Sequence, residues 1–432
     1  MHRRESLTRI AGGMLASTWT TALGHSHERS PAARRAQLSK RGSGRASAYA
    51  EAVKTVSVTN RTHVTWLDSV KQGFLVRIRT LDRDTRQWSP VHTLGTAHDN
   101  HGGPSLSVDS EGFLHVVYGP HHHPFRYRMS QRPNDASGWR DEQAFGAKLT
   151  YPTLVCGADD TLSFTARRSH DDQPWTVEQW NKRAGDPWGF TNTLMRASAR
   201  GYSHFQVAMA WGQDHQRLHL SCRIHEDRGT RETVGYLYSD DRGRTWRRLD
   251  GALVPLPADS SSVTVLAAGG RVDGMFSHKC GSIAVSPQGV PHILYSASGG
   301  SRSEMYIARP RGKSEWQRIP LAAVIDKHWP GFRVGPSAQL TFNRQGHLFV
   351  TACIGRDARY DVVLLRSTDE GRTISGERLS GGLSRERHWF PNLERPTGHN
   401  RVTGTPGVLF TAGIKGAGNT DILSNDVYWC GG

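Results

Sequence analysis

Histidines gather at two places in the chain about twenty residues apart, at His101 and at residues 121–123. Two short apolar runs between them flank the turn sequence at residues 109–112, a pattern that predicts a β-hairpin. A hairpin returns the chain to its starting end, so this arrangement favours His101 and His121 on one rim of a sheet. Imidazole titrates near neutral pH and is the usual proton carrier in catalysis. The pattern therefore predicts an acid–base site, and its alternative is a histidine that only satisfies backbone groups in a loop.

The elements that would position these histidines recur along the chain. Strand pairs split by turns repeat about every 45 to 60 residues, often followed by a stretch that contains Trp, and helical periodicity is absent. Such units predict an all-β fold, a seven-bladed β-propeller over residues 50–432, in which a ring of small sheets protects its own edges. The predicted units lie near residues 53–95, 100–146, 150–196, 202–251, 276–321, 334–379 and 388–431.

One motif supports the propeller directly. Residues 239–246 match the Asp-box pattern S-x-D-x-G-x-T-W of sialidase-type propellers, and residues 367–374 repeat it with Ile374 in place of Trp. The Asp and Gly of such a box are expected to close a hairpin and its Trp to pack between strands, so the acids are predicted to be structural. The segment that opens true sialidases is not found in this sequence.

Composition narrows the classes of function. The chain has 432 residues, 36% of them hydrophobic, and contains no run of about 18 apolar residues that would predict a membrane span. Lys and Arg exceed Asp and Glu by 16, which favours an anionic partner such as nucleic acid, a membrane surface or an acidic polysaccharide. No helix-turn-helix, zinc finger or oligonucleotide-binding pattern supports nucleic acid. A monomer acting on an anionic polysaccharide is the expectation.

The first residues have the pattern of an export signal. Arg3 and Arg4 precede a mildly apolar run, which predicts a twin-arginine signal peptide at residues 1–24 and a secreted or periplasmic protein; a disordered tail is the alternative. The Ser-, Arg- and Pro-rich residues 25–49 are interpreted as a flexible linker. Five widely spread cysteines without a CxxC pair predict no disulfide framework.

Several segments together resemble a known family. Asp-Asn-His-Gly-Gly-Pro at 99–104, the histidine triplet, Thr-Tyr-Pro at 150–152 and then Arg167 are similar to the BNR-type propeller lyases that cleave ulvan, polysaccharide lyase families 24 and 25. The resemblance covers most of the chain after Ala50. It implies a polyanionic substrate of sulfated rhamnose and uronic acid that is cleaved by β-elimination beside the uronate. Related propellers act on rhamnosyl-glucuronate linkages, some as lyases and some as hydrolases.

Elimination requires three parts, and the resemblance assigns a residue to each. A cation must neutralise the uronate carboxylate while a base removes the C5 proton and an acid protonates the leaving oxygen. Arg167 would bind the carboxylate through its planar fork, His101 and Tyr151 would share the base and acid roles in an order left open, and His121 would assist. The pair Tyr202 and Arg217, at the equivalent place in another unit, is the rival. Which histidine of the triplet lies in the site also stays open.

A second group of residues suggests a metal. His278 and Cys280 lie at i and i+2 on one face of a predicted strand, and His292 opens the returning strand, so three donors to zinc could converge. Overlaying two units places His204 as the fourth ligand, with Cys222 as its alternative. The ulvan lyases resemble this arrangement in having a structural zinc. Core residues that bind nothing are the competing interpretation.

The sequence thus predicts a polysaccharide lyase that acts on a uronate-containing, ulvan-like polysaccharide. The first alternative is a glycoside hydrolase on the same scaffold, which would release a saturated sugar. The second is a propeller that only binds glycans, since this architecture does not by itself imply catalysis.

Overall fold

The computed structural model describes residues 34–226, 229–270, 277–299, 302–385 and 387–431, apart from the side chains of residues 277, 278, 298, 299, 302, 303 and 336. The predicted signal peptide lies outside these residues. No helix in the described part of the chain is long and apolar enough to cross a membrane.

Antiparallel strands make up nearly all the regular structure, which confirms the all-β class. Strands of the first half are β1 (Arg35–Gly42), β2 (Thr55–Val58), β3 (Arg61–Val70), β4 (Gly73–Asp82), β5 (His92–Ala97), β6 (Ser105–Val108), β7 (Leu114–Tyr118), β8 (His123–Arg132), β9 (Asp135–Trp139), β10 (Gln143–Cys156), β11 (Leu162–Arg168), β12 (Thr176–Lys182), β13 (Gly189–Arg196), β14 (His204–Trp211) and β15 (Leu218–Glu226). Strands of the second half are β16 (Arg231–Ser239), β17 (Trp246–Arg247), β18 (Leu253–Val254), β19 (Thr264–Gly269), β20 (Ser277–Val285), β21 (Pro291–Gly299), β22 (Arg302–Arg311), β23 (Glu315–Pro320), β24 (Arg333–Phe342), β25 (Leu348–Arg356), β26 (Arg359–Ser367), β27 (Ser375–Arg378), β28 (His388–Leu393), β29 (Val408–Ala412) and β30 (Asn425–Cys430).

Most strands pair with the strand that precedes or follows them in sequence. Within the described ranges the strands form five sheets: β20 to β23 and β24 to β27 are four-stranded meanders, β14 to β19 form a six-stranded sheet, and β6 to β13 form an eight-stranded sheet. The remaining sheet joins β28, β29 and β30 to β1 and, through β1, to β2 to β5. Helical periodicity was not expected, yet one short helix, α1 (Ala322–His328), follows β23 and buries Ile325.

The linker predicted for residues 25–49 is wrong from Arg35 onward, where β1 begins. This strand pairs with β30 at the far end of the chain, so the N-terminal segment completes a sheet built from the C-terminus. Leu38 is 5% exposed and packs in a cluster with Val427 and Trp429. Within β1 only Leu38 and Gly42 are buried, whereas Gln37, Lys40 and Arg41 are exposed, so the strand needs few apolar residues.

The first Asp-box is a structural turn, as the pattern predicts. Asp241 accepts hydrogen bonds from the backbone N–H and the hydroxyl of Thr245, at 2.8 and 2.7 Å. Gly243 takes a positive φ of 82°, and Trp246 is fully buried with its indole N–H donating to the Gly243 carbonyl oxygen at 3.1 Å. The second box, residues 367–374, repeats the Asp–Thr bonds at the same distances. These acids are engaged in closing hairpins.

Candidate active site

The predicted hairpin of β6 and β7 brings the two histidines together. Ser105 pairs with Val117 across the ladder, and His101 and His121 stack just beyond this end, with ring centroids 3.9 Å apart and planes inclined by 23°. Asp99 lies between them: its Oδ1 is 3.1 Å from Nδ1 of His101 and its Oδ2 is 2.6 Å from Nδ1 of His121. One carboxylate therefore orients both imidazoles.

The electrostatics of this group keep Asp99 ionised and His101 neutral. Burial alone raises the pKa of Asp99, but hydrogen bonds from His101 and His121 outweigh it and hold that pKa well below its usual range. Burial lowers the pKa of His101 to about 4, against the opposing effect of the Asp99 hydrogen bond, and the charge of Arg45 lowers it further. A neutral imidazole next to a carboxylate can accept a proton.

Arg45 lies against the histidine pair. Its Nη1 is 2.8 Å from Nε2 and 3.1 Å from Nδ1 of His101, and it donates to Asn419 Oδ1 at 3.2 Å and also to Asn100 Oδ1. The ligand atoms of Asp99, His101 and His121 lie within 4.8 Å of one another, a spacing that could hold a metal ion. The guanidinium against the ring nitrogens opposes a second cation there.

Tyr151 and Arg167 come to the same rim on the next strand pair. Thr150 pairs with Arg167 in the ladder of β10 and β11, which is irregular between Thr150 and Thr153, and Tyr151 in this irregularity has a positive φ of 64°. The Tyr151 ring lies 6.1 Å from that of His101. Burial raises the pKa of the Tyr151 phenol, so the hydroxyl stays protonated and can donate.

Arg167 is a buried cation without a carboxylate partner in the described part of the chain. Its side chain is sandwiched between the rings of Tyr151 and Trp175, each with its centroid 4.7 Å from the guanidinium carbon, and the residue is 2% exposed. The next residue, Arg168, instead pairs with Glu178 at 2.6 Å on the opposite face of the strand. A buried guanidinium without a carboxylate partner is suited to receive an anion.

The other two members of the histidine triplet have different surroundings. His122, with a positive φ of 60°, places Nδ1 at 2.6 Å from Ser169 Oγ and Nε2 at 3.5 Å from Nη2 of Arg167. Burial and the charge of Arg167 lower the pKa of His122 to about 4. His123 is exposed and stacks near His98, with centroids 3.9 Å apart. His121 and His122 thus face the site, and His123 lies outside it.

The rival pair is separated by the structure. Tyr202 is 51% exposed near Trp175, whereas Arg217 lies at the opposite end of β14 and β15, bonded to both carboxylate oxygens of Asp240 at 2.6 and 3.0 Å. Because the exposed Arg217 is already paired with a carboxylate, it is poorly suited to bind the carboxylate of a substrate.

Four residues at this rim had no predicted role: Asp99, Arg45, Tyr49 and Trp175. Asp99 lies in the quoted motif, and its spacing of two residues from His101 was an available signal. Arg45 and Tyr49 fall in the segment interpreted as a linker, and the Tyr49 ring contacts that of Tyr151 at 5.0 Å. Only the pairing of β1 with the C-terminal sheet brings this segment to the site.

The predicted zinc ligands do not form one set. His292 pairs opposite Ala284, next to the hairpin turn, whereas Cys280 pairs opposite Tyr295. At about 3.3 Å per residue the two are separated by on the order of 10 Å, too far to share an ion. The His292 ring packs on Phe342 instead, with centroids 4.9 Å apart.

The remaining predicted ligands give no zinc geometry. The His204 ring lies 4.7 Å from that of Tyr151, and its Nδ1 is 3.1 Å from Nη1 of Arg223. Sγ of Cys280 lies 3.4 Å from Oγ of Ser221, its hydrogen-bond partner in the neighbouring sheet. The His278 side chain lies outside the described residues, so a site that includes it stays a prediction.

Comparison with known proteins shows what this chain is similar to. A family model described as a BNR repeat-containing family member matches residues 61–324. An ulvan lyase of family PL25 from Pseudoalteromonas sp. (strain PLSV) is 21% identical over 232 residues, 47% of this chain and 47% of that protein. An ulvan lyase from Alteromonas sp. (strain LOR) is 18% identical over 259 residues, 51% of this chain and 53% of that protein. The chain thus spans about half the length of these relatives.

A solved structure gives wider coverage. The PL25 ulvan lyase structure superposes with a TM-score of 0.69 at 16% identity, covering 92% of this chain and 96% of that one, and the same holds for that structure bound to -[GlcA(1-4)Rha3S]-. At this identity the superposition establishes a shared fold. The resemblance to ulvan lyases that the motifs indicate is confirmed.

Proposed function

The chain belongs to the BNR repeat-containing family, and on this premise we propose that it is a polysaccharide lyase that cleaves a uronate-containing anionic polysaccharide by β-elimination. The observation that carries the proposal is Arg167, a 2% exposed cation without a carboxylate partner among the described residues, beside a neutral histidine and a protonated tyrosine. Similarity to two ulvan lyases supports it.

Elimination begins by making the C5 proton of the uronate acidic. The adjacent carboxylate opposes loss of this proton, because removing it adds negative charge beside an existing one. Arg167 would pair with the carboxylate through two parallel N–H bonds, held in place by the rings on both of its faces. The developing charge would then form next to a fixed cation.

His101 would take the proton and Tyr151 would deliver one to the leaving oxygen. His101 is suited to be the base because its lowered pKa keeps it neutral near pH 7, and Tyr151 to be the acid because its raised pKa keeps it protonated. His121 is held through Nδ1 by Asp99, so its Nε2 is the ring nitrogen left to bond the sugar. The C5–H and the C4–O bonds break, a C4–C5 double bond forms, and no water is consumed.

The mass of the products tests this proposal. The purified chain would be incubated with ulvan, and the oligosaccharides released would be measured by mass spectrometry. A lyase gives fragments whose new non-reducing end lacks the elements of one water, and His101→Ala should abolish them while the far-ultraviolet spectrum stays native. Fragments that carry the added water would make the protein a glycoside hydrolase, and retention of ulvan without any fragments would make it a binding propeller.

We propose further that the substrate is a rhamnose–uronate polymer met outside the cytoplasm. The net excess of 16 basic residues favours a polyanion, and the arginine pair near the N-terminus favours export. Antibody detection of the protein in periplasmic and culture fractions, with Arg3→Lys/Arg4→Lys as the export-deficient control, checks the location.

We also propose that the strands form the seven blades of one propeller. The two eight-stranded sheets would each be two neighbouring blades joined along an edge, and the sheet that combines β28 to β30 with β1 would supply the closing blade. An experimental structure of the chain that shows seven sheets around one axis would support this count.

A further inference from the structure

A second cluster of ligating side chains lies away from the candidate active site. Cys156 ends β10, Asp160 lies in the turn before β11, and His399 comes from the segment between β28 and β29. Their ligand atoms all lie within 4.8 Å of one another. We propose that these three residues bind a zinc ion that fastens the 395–402 segment to the β10–β11 hairpin.

The distances between donors are close to those of a tetrahedral zinc site. Nε2 of His399 is 3.3 Å from Oδ1 of Asp160, and Sγ of Cys156 is 3.9 Å from the same oxygen. Zinc bonds of about 2.0 Å to N or O and about 2.3 Å to S place such donors about 3.3 and 3.5 Å apart. The distance from His399 to Asp160 equals the expected value, and the distance from Cys156 to Asp160 exceeds it by about 0.4 Å.

A fourth donor is at hand. The carbonyl oxygen of Gly157 lies 3.1 Å from Nε2 of His399 and 3.7 Å from Sγ of Cys156, close enough to serve as a fourth ligand. His215 is a further nitrogen donor nearby, with its ring centroid 5.1 Å from that of His399. The side chains of Asp160 and His399 are about one-third and one-quarter exposed, which gives an ion a path from solvent.

The backbone holds the ligands in place. The Cys156 N–H donates to the Thr397 carbonyl oxygen at 2.6 Å, and the His399 N–H donates to that of Val108 at 3.1 Å. A side chain at Gly398 would meet Val108 O at 2.1 Å, so the segment passes too close to the sheet for any residue but glycine. Such preorganisation lowers the entropy that metal binding must overcome.

The surrounding charge favours a cation. Asp160 is fixed by Ser110, whose N–H and hydroxyl donate to it at 2.8 and 2.6 Å, and Asp109 and Asp159 lie near enough to act on the thiol. A zinc ion would bind Cys156 as the thiolate and release the thiol proton.

Cobalt binding to the full chain tests the site without reference to activity. Metal-free protein titrated with Co²⁺ should develop a thiolate charge-transfer band and the visible bands of a tetrahedral ion, and Zn²⁺ should bleach both. Cys156→Ser should remove the charge-transfer band, and His399→Ala, a partly exposed position that leaves the core intact, should weaken Co²⁺ binding at least about tenfold. Cys353→Ser, a buried thiol elsewhere, should change neither.

Two results would overturn the proposal. One is the absence of a thiolate band in the unmodified chain at saturating Co²⁺. The other is a band that survives both Cys156→Ser and His399→Ala but disappears in Cys280→Ser, which would place the ion at the residues around β20. As a second readout, Zn²⁺ should raise the melting temperature of the unmodified chain and leave that of His399→Ala unchanged.

Discussion

Among single residues, the charged Arg167 most restricts the kind of ligand that the candidate site can bind. A guanidinium that is 2% exposed, sandwiched between two rings and without a carboxylate partner in the described residues is costly to maintain in the free protein. A substrate carboxylate would relieve that cost on binding. This cost is the reason for proposing an acidic sugar as the substrate.

Arg167→Ala should lower kcat/KM on ulvan by about 100-fold or more, because it removes the group that stabilises charge formed at C5. Arg168→Ala is the matched control, since Arg168 pairs with Glu178 on the other face of the same strand. Steady-state kinetics of the two variants check this. Equal losses of kcat/KM in both variants would show that activity depends on the integrity of the strand and not on the charge of Arg167.

The pH profile should show that His101 stays neutral at pH values well below the ordinary pKa of a histidine. His101 must be unprotonated to accept a proton, and its pKa is lowered to about 4, so kcat/KM should hold as pH falls from about 7 to 5 and decline as pH approaches 4. The Asp99 hydrogen bond raises that pKa, so Asp99→Asn should move the decline to still lower pH. A decline centred near the unperturbed value of about 6.5 would contradict the assignment.

At this scale the sequence could predict which residues lie together where the contacts are local in sequence, and their catalytic roles stay predictions. A hairpin and a strand register bring together His101, His121, Tyr151 and Arg167. Both features can be predicted from turn residues and from the alternation of apolar and polar residues. The contact of Arg45 with His101 could not be predicted, because it depends on pairing between the two ends of the chain. His292 failed because hairpin register places it at the turn, far from Cys280.

At the scale of elements, the Asp-boxes close hairpins, and the proposed catalytic residues lie at a different end of the strands. Each box places one carboxylate on the N–H and hydroxyl of the same threonine, closing a hairpin away from the histidine rim. The pattern could be recognised from sequence because all its bonds span four residues or fewer. Substitutions in the two boxes can therefore test the stability of the fold separately from activity.

Asp241→Ala should lower the free energy of unfolding by about 1–3 kcal/mol, because it leaves turn donors without their acceptor. Asp369→Ala should also destabilise the chain, since its box makes the same bonds. Both variants should keep kcat and KM at temperatures where they remain folded. Denaturant titration and kinetics on the same samples check this, and a loss of kcat in a folded variant would give the box a catalytic part.

At the scale of the whole molecule, the pairing of β1 with β30 brings Arg45 and Tyr49 to the rim. β1 pairs with β30 and leads directly into the residues that contact the histidine pair. Composition alone predicted a linker here, because a strand with one buried face has few apolar residues. The hydrogen bonds between β1 and β30 hold this segment in a strand, which its local composition does not indicate.

Leu38→Asp should destabilise the whole fold by roughly 3 kcal/mol or more, because it buries an unpaired charge against Val427 and Trp429. Lys40→Asp, an exposed change on the same strand, is the matched control and should leave the melting temperature within a few degrees. Thermal unfolding followed by far-ultraviolet circular dichroism measures both. Equal melting temperatures would mean that β1 does not hold the chain ends together.

The measurement that tests the central claim most directly is the ultraviolet absorbance of the unsaturated uronate, followed continuously while the purified chain acts on ulvan. The absorbance should rise with Arg168→Ala as it does with the unmodified chain, and stay flat with Arg167→Ala and His101→Ala. New reducing ends without any rise in absorbance would contradict elimination and make the protein a hydrolase.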